Sequence, residues 1–344
     1  MNRWQDTGVA DQVGRRAVVT GANTGLGYQT ALALAAAGAE VVIAVRDLDR
    51  GQEAAQRIRD QVEQARLRVI LLNLADLASV RDFAAAVRED GPLDLLVNNA
   101  GLMLVPQRRL TRHGFEAQMG VNHLGHFALT AQLLPALEQA PAGRVVSVTS
   151  LMFRRAGALD HRLGVEGPYN PSTAYAQSKL AVALFGIDLE WRLSASRSPV
   201  SSVLAHPGWS ATGGRRPNRS RPAPAGAAEK VGLSVRLARR ATALLGSSPG
   251  VGARPQVYAA TATAVRGGEL IGPRFLVRGA PRPISLAAAI TDTAEADWLW
   301  AESVRLTGTV PVGVRPVDPG AGGLDPIGVQ PVHDDEDALR HSRR

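Results

Sequence analysis

The chain has 344 residues, 45% of them hydrophobic and 20% charged, the balance of a globular protein with a sizeable core. It contains no cysteine, which excludes disulfides, zinc–thiolate sites and cysteine nucleophiles. The formal net charge is +8, and the cations are written as thirty-seven arginines against two lysines, Lys179 and Lys230.

In chain order, residues 16–20 (RAVVT) read as a buried strand and 26–38 as a helix closed by Gly38. Residues 40–45 are a second strand, 49–65 a polar-faced helix and 67–72 a third strand. A helix follows at 79–90, a strand at 93–98, a long helix at 114–137 and a strand at 143–150. Helix 172–193 precedes strand 200–207. Short apolar strands alternating with helices predict an α/β fold: a doubly wound, mostly parallel sheet with helices on both faces, in one domain. That domain is expected to cover 14–308, after an extension at 1–13. Within it, Gly, Arg and Pro predict a loop at 210–226, inside a substrate-side segment at 210–250, and an amphipathic stretch follows at 227–245. A helix at 254–265 and a short strand near Phe275–Val277 come next. From 309 to 344 Pro and Gly recur without a hydrophobic period, which predicts a disordered tail.

No window reaches the roughly eighteen consecutive apolar residues that span a bilayer, and the first residues lack the apolar run of a secretion signal. A cytoplasmic protein without a membrane span is expected. Arg215, Arg216, Arg219, Arg221, Lys230, Arg236, Arg239 and Arg240 face only Glu229 nearby in the chain. They could attract phosphate, acidic substrates or an anionic membrane, but a solvated arginine face is the plainer reading. Aromatic residues are not interleaved with them, so no nucleic-acid partner is expected.

TGANTGLG follows the first strand and opens the first helix, with Gly21, Gly25 and Gly27. Glycine permits a positive φ in a tight turn and lets backbone approach a pyrophosphate, and the helix N-terminus adds partial positive charge. An acid ending the second strand would hold the ribose hydroxyls of NAD. Here Arg46 stands in that place, followed by Asp47, which suits a 2′-phosphate and favours NADP(H). NAD(H) stays possible if Arg46 covers the adenine or pairs with Asp47.

Six segments in order, TGANTGLG, LVNNAG (96–101), VNHLGHF (121–127), RVVSVTS (144–150), YAQSK (175–179) and HPGWSAT (206–212), resemble the short-chain dehydrogenases/reductases. Within that family the chain looks most like the retinol dehydrogenase-like and WW-domain-oxidoreductase-like branch, over roughly 14–308. The resemblance implies a catalytic tetrad of Asn122, Ser150, Tyr175 and Lys179. Tyr175 would be the general acid or base, Ser150 would hydrogen-bond the substrate oxygen, and Lys179 would hold the nicotinamide ribose and favour the tyrosinate. Asn122 would anchor a proton-carrying water. Gly21, Asn23, Thr24, Gly25, Leu26 and Gly27 would line the pyrophosphate, with Arg46 at the 2′-phosphate and Asn73 and Leu74 at the adenine. Asn73 departs from the usual aspartate, so it accepts a hydrogen bond without charge assistance. Asn98, Ala100 and Gly101 would flank the adenosine, and Pro207, Gly208 and Thr212 would fix the carboxamide.

Tyr175 and Lys179 are i,i+4 and share one helix face. A free phenol has a pKa near 10, so a nearby cation is needed to make it a useful base at neutral pH. Tyr169 has Thr173, not a lysine, four residues on, and reads as a loop or pocket-wall residue. His123, His126 and His206 have no carboxylate at metal-ligand spacing, so packing or capping roles and no metal are expected. Ser150, Met152, Met103 and Trp209, with Leu151, Asp160 and His161, are expected to border the substrate by loop position alone. The expected activity is interconversion of an alcohol and a carbonyl on a small, lipophilic substrate, by a protein that could form a homo-oligomer. The rivals are reduction of a conjugated C=C bond and a non-catalytic NADP-binding regulator, the latter disfavoured by the complete tetrad.

Overall fold

A computed structural model of the chain describes residues 9–208, 248–276, 279–286 and 290–314. Its central strands are β1 (Arg16–Thr20), β2 (Glu40–Val45), β4 (Leu95–Asn98), β5 (Arg144–Val148) and β6 (Ser201–Ala205), almost wholly buried. Runs of Val, Ile, Leu and Ala without polar alternation suit strands covered on both faces. β3 (Arg66–Leu71) forms one edge, turning Arg66 and Arg68 to solvent, where charge discourages pairing with another chain. At the far side β7 (Leu270–Pro273) runs parallel to β6, and β8 (Pro281–Ile284) returns antiparallel to it. The order is β3-β2-β1-β4-β5-β6-β7-β8. The order in which strands are added reverses between the parallel neighbours β1 and β4, which opens a crevice at the carboxyl ends of these strands.

The helices are α1 (Gly25–Ala36), α2 (Leu48–Arg59), α3 (Leu77–Glu89), α4 (Ala117–Met119), α5 (Gly125–Leu137), α6 (Pro171–Ala195), α7 (Pro249–Thr261) and α8 (Thr293–Thr307). A π-helical stretch, Gly120–Leu124, joins α4 to α5. α1, α2 and α7 bury their apolar sides on one sheet face, and α3, α5 and α6 on the other. α8 packs outside α6, burying Ala296 and Leu299 against Leu184 and Ile187. With neighbours on both sides, α6 is buried along most of its length and carries apolar residues all round. No helix among the described residues is long and apolar enough to cross a membrane.

Several sequence expectations need correction. The helix expected at 49–65 ends at Arg59, the one at 114–137 begins at Ala117, and the one at 254–265 is Pro249–Thr261. The strand expected near Phe275 is Leu270–Pro273; Phe275 itself lies in the following turn, 69% exposed. β8 reads PRPI, and prolines fit a strand only where the sheet ends, so its pattern resembles a loop. Packing against the core also reaches beyond the expected domain bounds of 14 and 308 on both sides. Gln12 is buried with its N–H on Ala37 O (2.8 Å), and Val314 packs against the core beyond residue 309. Trp209, Thr212, Lys230, the arginine cluster, the loop at 210–226, the amphipathic stretch at 227–245 and the tail from 315 lie outside the described residues.

Candidate active site

The glycine turn follows β1. Gly21 has φ +68°, and a Cβ on it would press on Ala100 at 3.1 Å. Gly27 has no room at all: a Cβ would stand 2.4 Å from Asn99 Nδ2 and 2.5 Å from Gly21 O, so this glycine lets α1 pack on the turn. Gly25, with φ +58°, differs in having open space where its Cβ would point. Thr24 caps α1 with no side-chain hydrogen bond, and the first turn carries no acid, so the helix N-terminus keeps its donors and its partial positive charge. Tight turn, open face and close packing are what a pyrophosphate cradle needs of its three glycines.

Asn99 ties this cradle to β4. Its Nδ2 donates to Thr20 O (2.7 Å), and its N–H and that of Ala100 both donate to Thr20 Oγ1 (2.9 Å each). Asn98, expected at the adenosine, is committed elsewhere: it is buried and its Nδ2 donates to Thr130 Oγ1 on α5 (3.0 Å). Its side chain braces the sheet against α5, a correction to the sequence assignment.

At the end of β2, Arg46 is exposed and makes no ion pair among the described residues. Asp47 does not hold it. The aspartate caps α2, accepting from Arg50 N (3.2 Å), and pairs with Arg50 Nε (3.5 Å). A second cation nearby was not anticipated: Arg57 Nη2 donates to Asn23 O (3.0 Å), and its guanidinium lies 4.6 Å from the centre of the Tyr28 ring. Asn73 is exposed, and its Oδ1 accepts from Ala75 N (3.2 Å), which leaves one lone pair for another donor. Leu74 is buried beside it and contacts Gly125.

Three of the four tetrad residues meet through α6. Asn170 caps this helix, accepting from Ser172 N (2.9 Å) and Thr173 N (3.1 Å), and Pro171 suits its first turn. Two bonds then align α6 with the end of β5: Lys179 Nζ donates to Val148 O, and Thr149 Oγ1 donates to Lys179 O, each at 2.8 Å. The next residue, Ser150, lies close enough to the Tyr175 phenol to favour its charged form. Lys179 Nζ stands 6.0 Å from the centre of the Tyr175 ring. Burial pushes the Tyr175 phenol above its ordinary value, opposed by the nearby Ser150. Burial also lowers Lys179 to about 8. Two of the three N–H donors of the ammonium remain for a ligand beside Gly101, whose added Cβ would lie 3.7 Å from Nζ.

Asn122 belongs to the same cluster, but its polar atoms are largely committed to protein. Leu102 N donates to its Oδ1 (2.7 Å), while its Nδ2 donates to Leu102 O and to Ser178 Oγ (2.9 Å each). Its side chain is therefore a brace between the segment after Gly101 and α6, and only second lone pairs on its oxygens are left for a water.

Met152 lies in the 3-10 turn Leu151–Arg155, its N–H on Ser150 Oγ (3.3 Å), and Met103, next to the braced Leu102, is 50% exposed. Asp160 and His161 do not join them. Asp160 pairs with Arg162 (3.0 Å), and His161 stacks on Trp298 of α8 (3.8 Å between centres) with Nε2 3.1 Å from Glu295. Tyr169 donates to Val105 O (2.9 Å) and acts as a wall. Pro207 and Gly208 follow β6. Gly208 has φ +68° and donates its N–H to His206 Nδ1 (3.0 Å), while His206 packs on Gly272.

Comparisons with known proteins identify the family of the chain. The family described as short chain dehydrogenase matches residues 15–222. Polyprenol dehydrogenase of Mus musculus is 42% identical over 326 residues, which cover 92% of this chain and 88% of that protein. Retinol dehydrogenase 13 of Homo sapiens is 38% identical over 313 residues, covering 88% and 87%. A crystal structure of an uncharacterised protein from Mycobacterium Paratuberculosis superposes with a TM-score of 0.69 at 37% identity, over 90% of this chain and 98% of that one. A protein of Beutenbergia cavernae, described as an NAD(P) dependent gluconate 5-dehydrogenase and solved with bound NADP, gives 0.58 at 26% identity, over 76% and 95%. The chain therefore belongs to the short-chain dehydrogenases/reductases, in their retinol dehydrogenase-like branch, and is an oxidoreductase that interconverts an alcohol and a carbonyl with an NAD(P)(H) cofactor.

Proposed function

We propose that this enzyme prefers NADP(H) to NAD(H), acts on a lipophilic alcohol or its carbonyl, and uses Tyr175 as its proton donor and acceptor. The observation that carries the reading is the buried Lys179 ammonium, held by Val148 O at 2.8 Å and 6.0 Å from the centre of the Tyr175 ring, at the end of β5 that leads into Ser150. When bound, the nicotinamide supplies a hydride to the carbonyl carbon or accepts one from the alcohol carbon. Gly21, Gly25 and Gly27 with the N-terminus of α1 would hold the pyrophosphate, and Arg46 the 2′-phosphate. In reduction, the Tyr175 hydroxyl gives its proton to the carbonyl oxygen, with Ser150 donating a hydrogen bond to that oxygen. The phenolate left behind is stabilised by the Lys179 ammonium and regains its proton from solvent. Burial favours the neutral phenol in the chain by itself, the form that reduction needs.

Two observations support the finer points. Arg46 has no ion pair among the described residues, and Asp47 is taken by α2 and Arg50. Half-exposed Met103 and exposed Leu104 follow directly after Leu102, and the relatives are by name dehydrogenases of polyprenol and retinol, both lipophilic alcohols. Tyr175→Phe is expected to lower kcat at least a hundredfold on a long-chain aldehyde while NADPH fluorescence titration gives nearly the parent Kd. Turnover that survives the substitution would remove the phenol from the chemistry. Arg46→Ala is expected to weaken NADPH about tenfold or more and leave NADH unchanged, as for loss of a charge-assisted bond. Equal effects on the two cofactors would take the 2′-phosphate away from Arg46.

A further inference from the structure

The cradle and the catalytic helix meet at a residue that neither contains. His126, on the first turn of α5, is 3% exposed. Its Nδ1 lies 3.0 Å from the main-chain oxygen of Asn122, and its Nε2 lies 2.9 Å from Thr20 Oγ1. A carbonyl oxygen can only accept, so Nδ1 carries the proton. Nε2 must then accept, and the Thr20 hydroxyl donates to it; Val97 O is a longer alternative at 3.4 Å. Burial holds the ring neutral, with a pKa of about 4, so a single tautomer is kept through the physiological range.

The bonds continue on both sides. Thr20 Oγ1, at the end of β1, accepts the N–H groups of Asn99 and Ala100 at 2.9 Å, beside the glycine turn. Asn122 Nδ2 donates to Ser178 Oγ (2.9 Å), which donates to Tyr175 O (2.8 Å). Thr20, His126, Asn122 and Ser178 are each at most 3% exposed, so no water competes for these bonds. The π-helical stretch Gly120–Leu124 places Asn122 within it and His126 just after it.

We propose that His126 is a positioning residue that links the nucleotide cradle to the proton-transferring helix, its Nε2 arm holding the cradle through Thr20 and its Nδ1 arm holding Asn122 and, through Ser178, Tyr175. The proposal rests on the reading of Tyr175 as proton donor for the rate arm only; the cradle arm is read by binding. A histidine that merely fills the core would serve both arms alike.

The two arms can be cut separately. In His126→Asn the amide nitrogen falls near the place of Nδ1 and keeps the donor to Asn122 while losing Thr20. In His126→Gln the amide oxygen reaches the place of Nε2 and keeps the acceptor for Thr20 while losing the donor to Asn122. NADPH Kd by fluorescence titration, kcat and Tm are measured for both, with Thr20→Val and Thr20→Ser alongside. The expected result is a Kd weakened about fivefold to tenfold with kcat within about twofold for His126→Asn, and the reverse for His126→Gln. Thr20→Val should reproduce the His126→Asn pattern and add little to it in the double variant, and Thr20→Ser should restore the parent values. Kd and kcat changing in the same proportion in both variants, or Tm alone falling, would overturn the link. If His126→Gln fails to fold, additivity of Thr20→Val with His126→Asn would overturn it equally; if His126→Asn fails, a His126→Gln that weakens Kd as much as it lowers kcat would do so. Turnover retained by Tyr175→Phe would remove the proton-donor reading instead, and the Kd contrast between the two His126 variants would still decide the cradle arm.

Discussion

Lys179 shows how much one residue is asked to satisfy. In a chain with thirty-seven arginines it is one of two lysines, it is 5% exposed, and its Nζ donates to Val148 O while facing Tyr175 and Gly101. An ammonium is compact and presents three donors from a point, whereas a guanidinium is a wide planar fork that needs more room than Gly101 and Asn122 leave. Lys179→Arg should therefore lower kcat by at least about a hundredfold and lower Tm as well, because the larger head strains the β5–α6 contact. A variant with parent kinetics and stability would show that position 179 needs only charge. The pair Tyr175 and Lys179 was legible because i,i+4 spacing on a helix is local. Arg57 was not: its partner Asn23 is thirty-four residues away, and on its own element Arg57 is one more polar-face residue of α2.

At the scale of elements, the turn from β1 into α1 gives its glycines different duties. Gly27→Ala would force a Cβ against the Gly21 carbonyl and Asn99, both backed by fixed backbone, and is expected to lower Tm by several degrees together with cofactor affinity. Gly25→Ala meets nothing in the protein and costs only about 1–2 kcal/mol for its left-handed φ. Its loss should be mainly in NADPH Kd, since the methyl group occupies the side from which a pyrophosphate would approach. Thermal melts and fluorescence titrations of the two variants check the contrast; equal Tm losses would deny the open face of Gly25. The motif TGANTGLG told where the turn was, but which glycine packs and which lies open depends on Asn99 and Ala100, which β4 brings alongside. The same limit explains β7 and β8. LIGP is too short to show a period, and PRPI is a strand only because no further strand needs its N–H groups.

For the whole molecule, acid should find the buried histidines. Burial lowers His123 to about 3 and His126 and His206 to about 4, against about 6.5 in an unfolded chain. Between pH 6.5 and 4 the unfolded chain takes up protons that the folded chain refuses, so stability falls as pH falls, by up to about 1.4 kcal/mol per pH unit for each histidine. Asp188, pushed up to about 6 by burial, and Glu190, raised in the same way, act oppositely, because the folded chain protonates them first. Three groups against two leave a net loss. Tm should decline from pH 6.5 to 4.5, and Asp188→Asn should steepen the decline; a flat profile would mean that these rings are not held neutral.

The sequence by itself determined the alternation of strands and helices, the glycine turn at the first crossover and the Tyr175–Lys179 pair. Each of these follows from a period or spacing within a single element, where sequence distance and spatial distance agree. Only the tertiary structure decided that Asn98 braces α5, that Asp47 pairs with Arg50 and not with Arg46, that His161 stacks on α8, and that His126 bridges Thr20 and Asn122. Those outcomes depend on which partner reaches a polar atom first when distant strands and helices pack. A buried donor or acceptor must find some partner, but its own residue does not say which.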